Sequence, residues 1–257
     1  MDDTLVRTER RDAVATITLT NARRRNALSL AVLSALGQAV EAVAATDAAG
    51  LVITGEGPVF SSGHDFGDMA GRPLSEMRAL LRTCTDVMLA LQEIPQVVVA
   101  RVQGPALAAG CQLVAACDLA VAVDTATFSA PGGKAGWFCH TPMVAIARNV
   151  GRKQALEMAL TGDAIDAATA LRWGLINAAV PAEQLDDATL DLLGRATRGS
   201  RMSKALGKQT LYAQMRLEER QAYDLAIEVM AAASQTADGQ ESMASFVERR
   251  PAEYVDR

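Results

Sequence analysis

Histidine is nearly missing from this chain: there are two, His64 and His140. Aromatic residues are scarce at 4%, while half of all residues are apolar and alanine is abundant. A core of Ala, Val, Leu and Met gains little area per side chain, so it demands close packing of sheet and helices. Net positive charge is absent; at −5 the chain is ill suited to non-specific nucleic-acid binding. No run of eighteen or more apolar residues occurs, so no helical membrane span is expected. Residues 1–12 are charged and lack the apolar segment of a secretory leader. The four cysteines, Cys84, Cys111, Cys117 and Cys139, form no CxxC pair and no Cys/His zinc spacing. They read as reduced thiols, with no metal site. From these absences a cytoplasmic protein is expected, with neither a nucleic-acid nor a membrane partner.

The 257 residues that are present suit one large domain, or one domain with an appended oligomerisation region. Residues 5–10 and 13–20 alternate apolar and polar residues as two short strands do. Ser29 is placed to cap a helix over 30–46, which Gly50 ends. Strand 51–54, helix 76–93 stopped by Pro95, and strand 97–102 follow. Further strands are expected at 119–123, 127–129 and 176–180, with helices between them over 143–150, 153–160 and 167–173. From residue 182 onward the pattern is almost wholly helical and amphipathic, as in helices that pack on another subunit. The alternation of strand and helix followed by helices alone predicts an α/β core over 1–200 and a helical region over 201–257.

Two stretches organise the chain. One is Val59-Phe60-Ser61-Ser62-Gly63-His64-Asp65-Phe66, and the other is Gly104-Pro105-Ala106-Leu107-Ala108-Ala109-Gly110-Cys111-Gln112. Each follows a β-branched run, turns on glycine and leads into a helix. Such turns leave backbone N–H groups unpaired and aimed at one point. Brought together, the two turns would offer paired donors to a carbonyl that becomes an oxyanion. The plainer alternative is two ordinary strand-to-helix turns.

With these stretches stand Asn26-Ala27-Leu28-Ser29, Cys117-Asp118, Leu160-Thr161-Gly162-Asp163, Trp173-Gly174-Leu175-Ile176 and Gly239-Gln240-Glu241-Ser242. Taken together over nearly the whole length, the set resembles the crotonase (enoyl-CoA hydratase/isomerase) family. The resemblance implies a spiral of ββα units closed by a C-terminal helical oligomerisation region. It also implies a homotrimer or dimer of trimers, and acyl-CoA or enoyl-CoA thioesters as substrates. CoA would enter as part of the substrate, with no separate cofactor. The backbone donors would be His64 and Ala109. The CoA site would draw on Arg23, Arg25, Ala27, Leu28, Ser62, Asp65 and Phe66, and on Phe246 and Arg249 at the last helix, often from a neighbouring subunit.

The chain departs from the family at the acid–base pair. Hydratases of the family carry two glutamates, and those positions hold Gln112 and Gly132 here. Glutamine cannot take a proton near neutral pH, and losing such a group costs about 10²–10⁴-fold. Efficient hydration is therefore not expected, and restoring both glutamates is expected to raise it. Cys139, His64 and His140 are the remaining candidates for acid–base work. Their plainer readings are a core cysteine, a loop-bracing histidine and an ordinary loop residue. Two alternatives to hydration follow: a decarboxylase of malonyl-type thioesters, which also looks like the His64 segment, or a non-catalytic acyl-CoA-binding homologue. Trp137 and Phe138 are either pocket wall or core.

Overall fold

The computed structural model describes residues 5–256; part of the N-terminal stretch read for a leader, residues 1–4, lies outside them. The chain begins with β1 (Val6–Arg11), β2 (Val14–Leu19), α1 (Leu30–Ala44), β3 (Gly50–Gly55), α2 (Phe66–Met69), α3 (Leu74–Glu93) and β4 (Val97–Val102). It continues through β5 (Ala106–Leu107), α4 (Ala109–Ala116), β6 (Leu119–Val123), β7 (Thr127–Ser129), α5 (His140–Ile146) and α6 (Arg152–Thr161). Next come β8 (Ile165–Asp166), α7 (Ala167–Trp173), β9 (Ala178–Val180) and α8 (Leu185–Ala196). The last three helices are α9 (Arg201–Gln214), α10 (Glu219–Ala233) and α11 (Ala237–Glu248).

Six strands form one sheet in the order β1-β2-β3-β4-β6-β9, and β5-β7-β8 form a second. Only the outer β1–β2 pair of the first sheet is antiparallel. β3 is buried along its whole length and β4 at all but one residue, as expected of parallel strands covered on both faces. This is why 51–54 and 97–102 read as continuous apolar runs rather than alternating ones. The outer β1 reads instead as Val-Arg-Thr-Glu-Arg-Arg and is exposed, its charges guarding a free edge.

α1 and α3 pack side by side, and α8 packs on β4 and β6. Ser29 caps α1 through its hydroxyl, which accepts from the Val32 N–H. Asp68 reinforces that end by accepting from the Leu30 N–H at 2.8 Å, so it is a brace and not a solvated carboxylate. Phe60 and Phe128 are the aromatic side chains buried completely; most of the core is Val, Leu, Ile and Ala. Every residue of α4 is buried.

The helical region is tied to the core by a buried polar cluster. Lys208 of α9 donates to the carbonyls of Leu91 (2.7 Å) and Gln96 (2.8 Å). It also pairs with the Asp118 carboxylate at 2.8 Å. Asp118 further accepts from the Val98 N–H at 2.7 Å and the Tyr212 hydroxyl at 2.9 Å. The aspartate therefore braces backbone, as its motif suggests, and it also anchors α9. Exposed apolar side chains run along the remaining faces, including Leu211, Met215, Tyr223, Ile227 and Met230. Among the described residues, no helix is long and apolar enough to cross a membrane.

Candidate functional site

The two glycine turns meet, and short hydrogen bonds hold them together. Leu107 N–H donates to the Ser61 carbonyl at 2.9 Å and Phe60 N–H to that of Pro105 at 3.1 Å. From the other side, Leu28 N–H reaches the Gly63 carbonyl at 2.8 Å, and the Ser61 hydroxyl donates to the Asn26 carbonyl at 2.8 Å. Gly63 has φ +84°, and a Cβ there would lie 2.8 Å from the Leu107 carbonyl oxygen and 3.0 Å from the Ala109 nitrogen. Only glycine permits both that conformation and that approach. Across the contact, Ala108 takes φ 49° and ψ −118°, a strained position for a residue with a Cβ. Ala109 is the first residue of α4 and has no positive φ. Among the described residues, neither the His64 N–H nor the Ala109 N–H has a protein acceptor. The helix N-terminus adds a favourable field for negative charge near Ala109.

Beside this contact opens a cavity of about 860 Å³. Arg23, Arg25, Ala27, Ser62, Asp65 and Phe66 line one side of it. Gly132, Trp137, Phe138, Cys139 and His140 line another, and His64 and Ala108 lie on its surface as well. Asp65 accepts from the Gly67 N–H, capping α2, and pairs with Arg24 at 2.9 Å. Leu28, Ala109 and Gln112 are buried and do not form the wall. Phe246, 84% exposed, and Arg249 lie at the end of α11 and line no part of this cavity. Leu81, Leu107, Pro131, Thr141 and Pro142 also line it, beside Arg24, Ala135 and Gly136. Apart from Leu107, which lies in the second glycine stretch, nothing in the sequence singled out those named first, because they are brought together from four separate segments.

The acid–base positions are occupied in an unexpected way. At Gly132 a Cβ would lie 2.3 Å from the Trp137 carbonyl oxygen and 2.8 Å from the Cys139 nitrogen. The backbone of 137–139 fills the space that a side chain at 132 needs, so simple restoration of a glutamate there is not accommodated. Gln112 is 4% exposed, and its Oε1 has no partner. His64 Nδ1 stands 3.4 Å from the Leu28 carbonyl, and Nε2 is buried without a partner. Burial pushes the imidazole below its ordinary value, the contact to Leu28 only partly opposing this. His64 is therefore neutral near pH 7; with its proton on Nδ1 facing Leu28, Nε2 offers a bare lone pair. Burial pushes the Cys139 thiol up, partly offset by the Gly132 N–H, which disfavours a thiolate nucleophile. His140 is exposed and stacks near Phe138, with ring centroids 5.0 Å apart. All four cysteines are free. Among the described residues, no three His, Cys, Asp or Glu side chains cluster as a metal set would.

A twisted mixed sheet wound with helices, two interlocked turns at its heart and a helical C-terminal region together define the crotonase fold. A model of the enoyl-CoA hydratase/isomerase family matches residues 9–257, and the chain belongs to that family. It is 44% identical to the mitochondrial enoyl-CoA hydratase domain-containing protein 3 of Mus musculus, over 96% of this chain and 83% of that one. Its human counterpart is 41% identical over 93% and 80% of the two chains. Among solved structures, an enoyl-CoA hydratase from Mycobacterium smegmatis superposes with a TM-score of 0.94 at 40% identity, covering 97% of this chain and 98% of that chain. The crystal structure of the human domain-containing protein 3 gives 0.93 at 39%, covering 97% and 100%.

These relatives correct one expectation. The mouse, rat, zebrafish and human proteins are named mitochondrial, which overturns the cytoplasmic reading. Reduced thiols and acidic charge fit any reducing compartment, so they never distinguished the two.

Proposed function

We propose that this protein binds acyl-CoA or enoyl-CoA thioesters and stabilises the enolate formed at their α-carbon. The observation that carries this reading is the contact of the two turns beside an 860 Å³ cavity: His64 lines it, and the buried Ala109 N–H, without a protein acceptor, lies against Gly63 just behind the Ala108 wall. A thioester oxygen accepting from both would gain most as negative charge builds on it. Arg23 and Arg25 on the cavity wall suit the phosphates of CoA. CoA is part of the substrate in this reading.

Hydration is slow in this scheme, because the acid–base positions hold Gln112 and a Gly132 covered by backbone. His64, neutral and with Nε2 free, is the one group at the pair of amides able to exchange a proton near neutral pH. A second reading, decarboxylation of a malonyl-type thioester, is favoured by one observation: among the described residues the only carboxylate lining the cavity, Asp65, is engaged by Arg24. The C–C bonding pair would pass to the enolate as CO₂ leaves, and the α-carbon would then take a proton from water beside His64.

The assembly in this reading is a homotrimer or dimer of trimers. Support comes from the exposed apolar faces of α9 to α11, and from Phe246 and Arg249 lying free of their own cavity, ready to close a neighbour's.

The test is a thermal-shift and turnover screen. Acetyl-CoA raises Tm, by an amount that grows with ligand concentration. Crotonyl-CoA hydration falls below that of a two-glutamate relative by on the order of 10²-fold or more. Mass spectrometry of enoyl-, 3-enoyl-, malonyl- and methylmalonyl-CoA reactions identifies the chemistry. Binding without any turnover would leave a non-catalytic acyl-CoA-binding protein, and no Tm shift would refute the ligand class.

A further inference from the structure

Two large aromatic side chains stand in solvent at the cavity. Phe66 is 70% exposed and Trp137 43%. Their rings meet edge to face, with centroids 6.3 Å apart and planes at 66°. Neither belongs to the hydrophobic core, so packing of the fold does not account for them. In a chain with 4% aromatics, two placed together in water are a considerable exposure of apolar area.

Their backbone positions say what they would cover. Phe66 follows Asp65, whose carboxylate holds Arg24 at 2.9 Å, so it rises from the arginine-bearing wall. Trp137 rises from a separate loop, and its carbonyl lies against the Cβ direction of Gly132, a position assigned to the acid–base pair. The pair thus joins the segment whose Asp65 holds Arg24 to the loop that packs on Gly132. A CoA thioester with its phosphates on the first and its carbonyl at the second must run its chain of amides and methylenes along the same line.

We propose that Phe66 and Trp137 form an aromatic roof over this connecting arm, setting how tightly the carrier is held and not which acyl group it brings. The inference rests on the acyl-CoA reading. The rings exchange water for the arm on binding, and their mutual contact keeps them aligned beforehand.

Trp137 supplies its own probe, since the sequence has two tryptophans. In a Trp173→Phe background, acetyl-CoA and octanoyl-CoA change Trp137 fluorescence; adenosine 3′,5′-bisphosphate, which has the phosphates but no arm, does not. By calorimetry, Phe66→Ala and Trp137→Ala each weaken both thioesters on the order of tenfold. The two thioesters lose by the same factor within about twofold, while bisphosphate affinity is unchanged and Trp137→Phe retains binding. Because both side chains are exposed, the unliganded variants melt with the wild type. A loss much larger for octanoyl-CoA than for acetyl-CoA would assign the rings to the acyl pocket and overturn the roof. Wild-type binding that both alanine variants match would overturn the roof alone. No thioester binding by the wild type would bring down the acyl-CoA reading with it.

Discussion

Position 132 shows how one residue can be lost in more than identity. The resemblance places a carboxylate of the family there; this chain has glycine, and the space for a first side-chain carbon is taken by the Trp137 carbonyl and the Cys139 amide. Gly132→Ala is expected to destabilise by about 1–3 kcal/mol through overpacking, seen as a Tm lower by roughly 2–4 °C per kcal/mol. The double variant Gln112→Glu/Gly132→Glu gains no hydration of crotonyl-CoA, contrary to what the sequence suggests. A rise towards a two-glutamate relative would show that the 137–139 segment yields easily. His64 carries a pH signature. Its folded pKa is lowered by burial, so below about 6.5 the unfolded chain binds a proton that the native state does not. Stability is therefore complete above that value and is lost as pH falls towards the folded pKa. Urea denaturation from pH 7.5 down to 5 is expected to show a steeper loss for the wild type than for His64→Gln. Equal slopes would mean that the imidazole is solvated in the native state.

At the scale of elements, α9 depends on one buried pairing. The Lys208 and Asp118 side chains are 8% and 13% exposed. Lys208→Met leaves Asp118 without its cation and is expected to cost about 3–5 kcal/mol. Asp118→Asn/Lys208→Met recovers part of that, and hydrogen exchange in α9 reports the loosening. This anchor was not legible in the sequence, because a motif aspartate and a lysine ninety residues later carry no local sign of meeting. The strands and helices were legible for local reasons. Continuous β-branched runs marked β3 and β4, Ser29 marked the start of α1, and Pro95 marked the end of α3. The first stretch was read as leading into a helix, but its start at Phe66 was not, because the Asp65 side chain and not apolar periodicity begins α2. The two glycine turns were legible as turns, but their contact is a property of the sheet order. The closure of 137–139 over Gly132 left no signal at all, and neither did the positive φ of Ala108, where alanine hides a position suited to glycine.

For the whole molecule, the exposed apolar faces of α9 to α11 are where the proposed assembly is tested. Ile227 and Met230 are 59% and 78% exposed, and charge there should break subunit contacts. Sedimentation equilibrium is expected to give a trimer or its double for the wild type and a monomer for Ile227→Glu/Met230→Glu. A monomeric wild type would remove the proposed role of Phe246 and Arg249 in a neighbour's site. The Lys208–Asp118–Tyr212 cluster also has a mechanical consequence. It fixes α9 near one point of the core, while α10 packs against α9. At the start of α9, Arg201 bonds the Asp47 carbonyl and the Asp256 carboxylate, so the helix is held in both halves. In the proposed assembly, that double hold on α9 would set how precisely one subunit presents its last helix to the next.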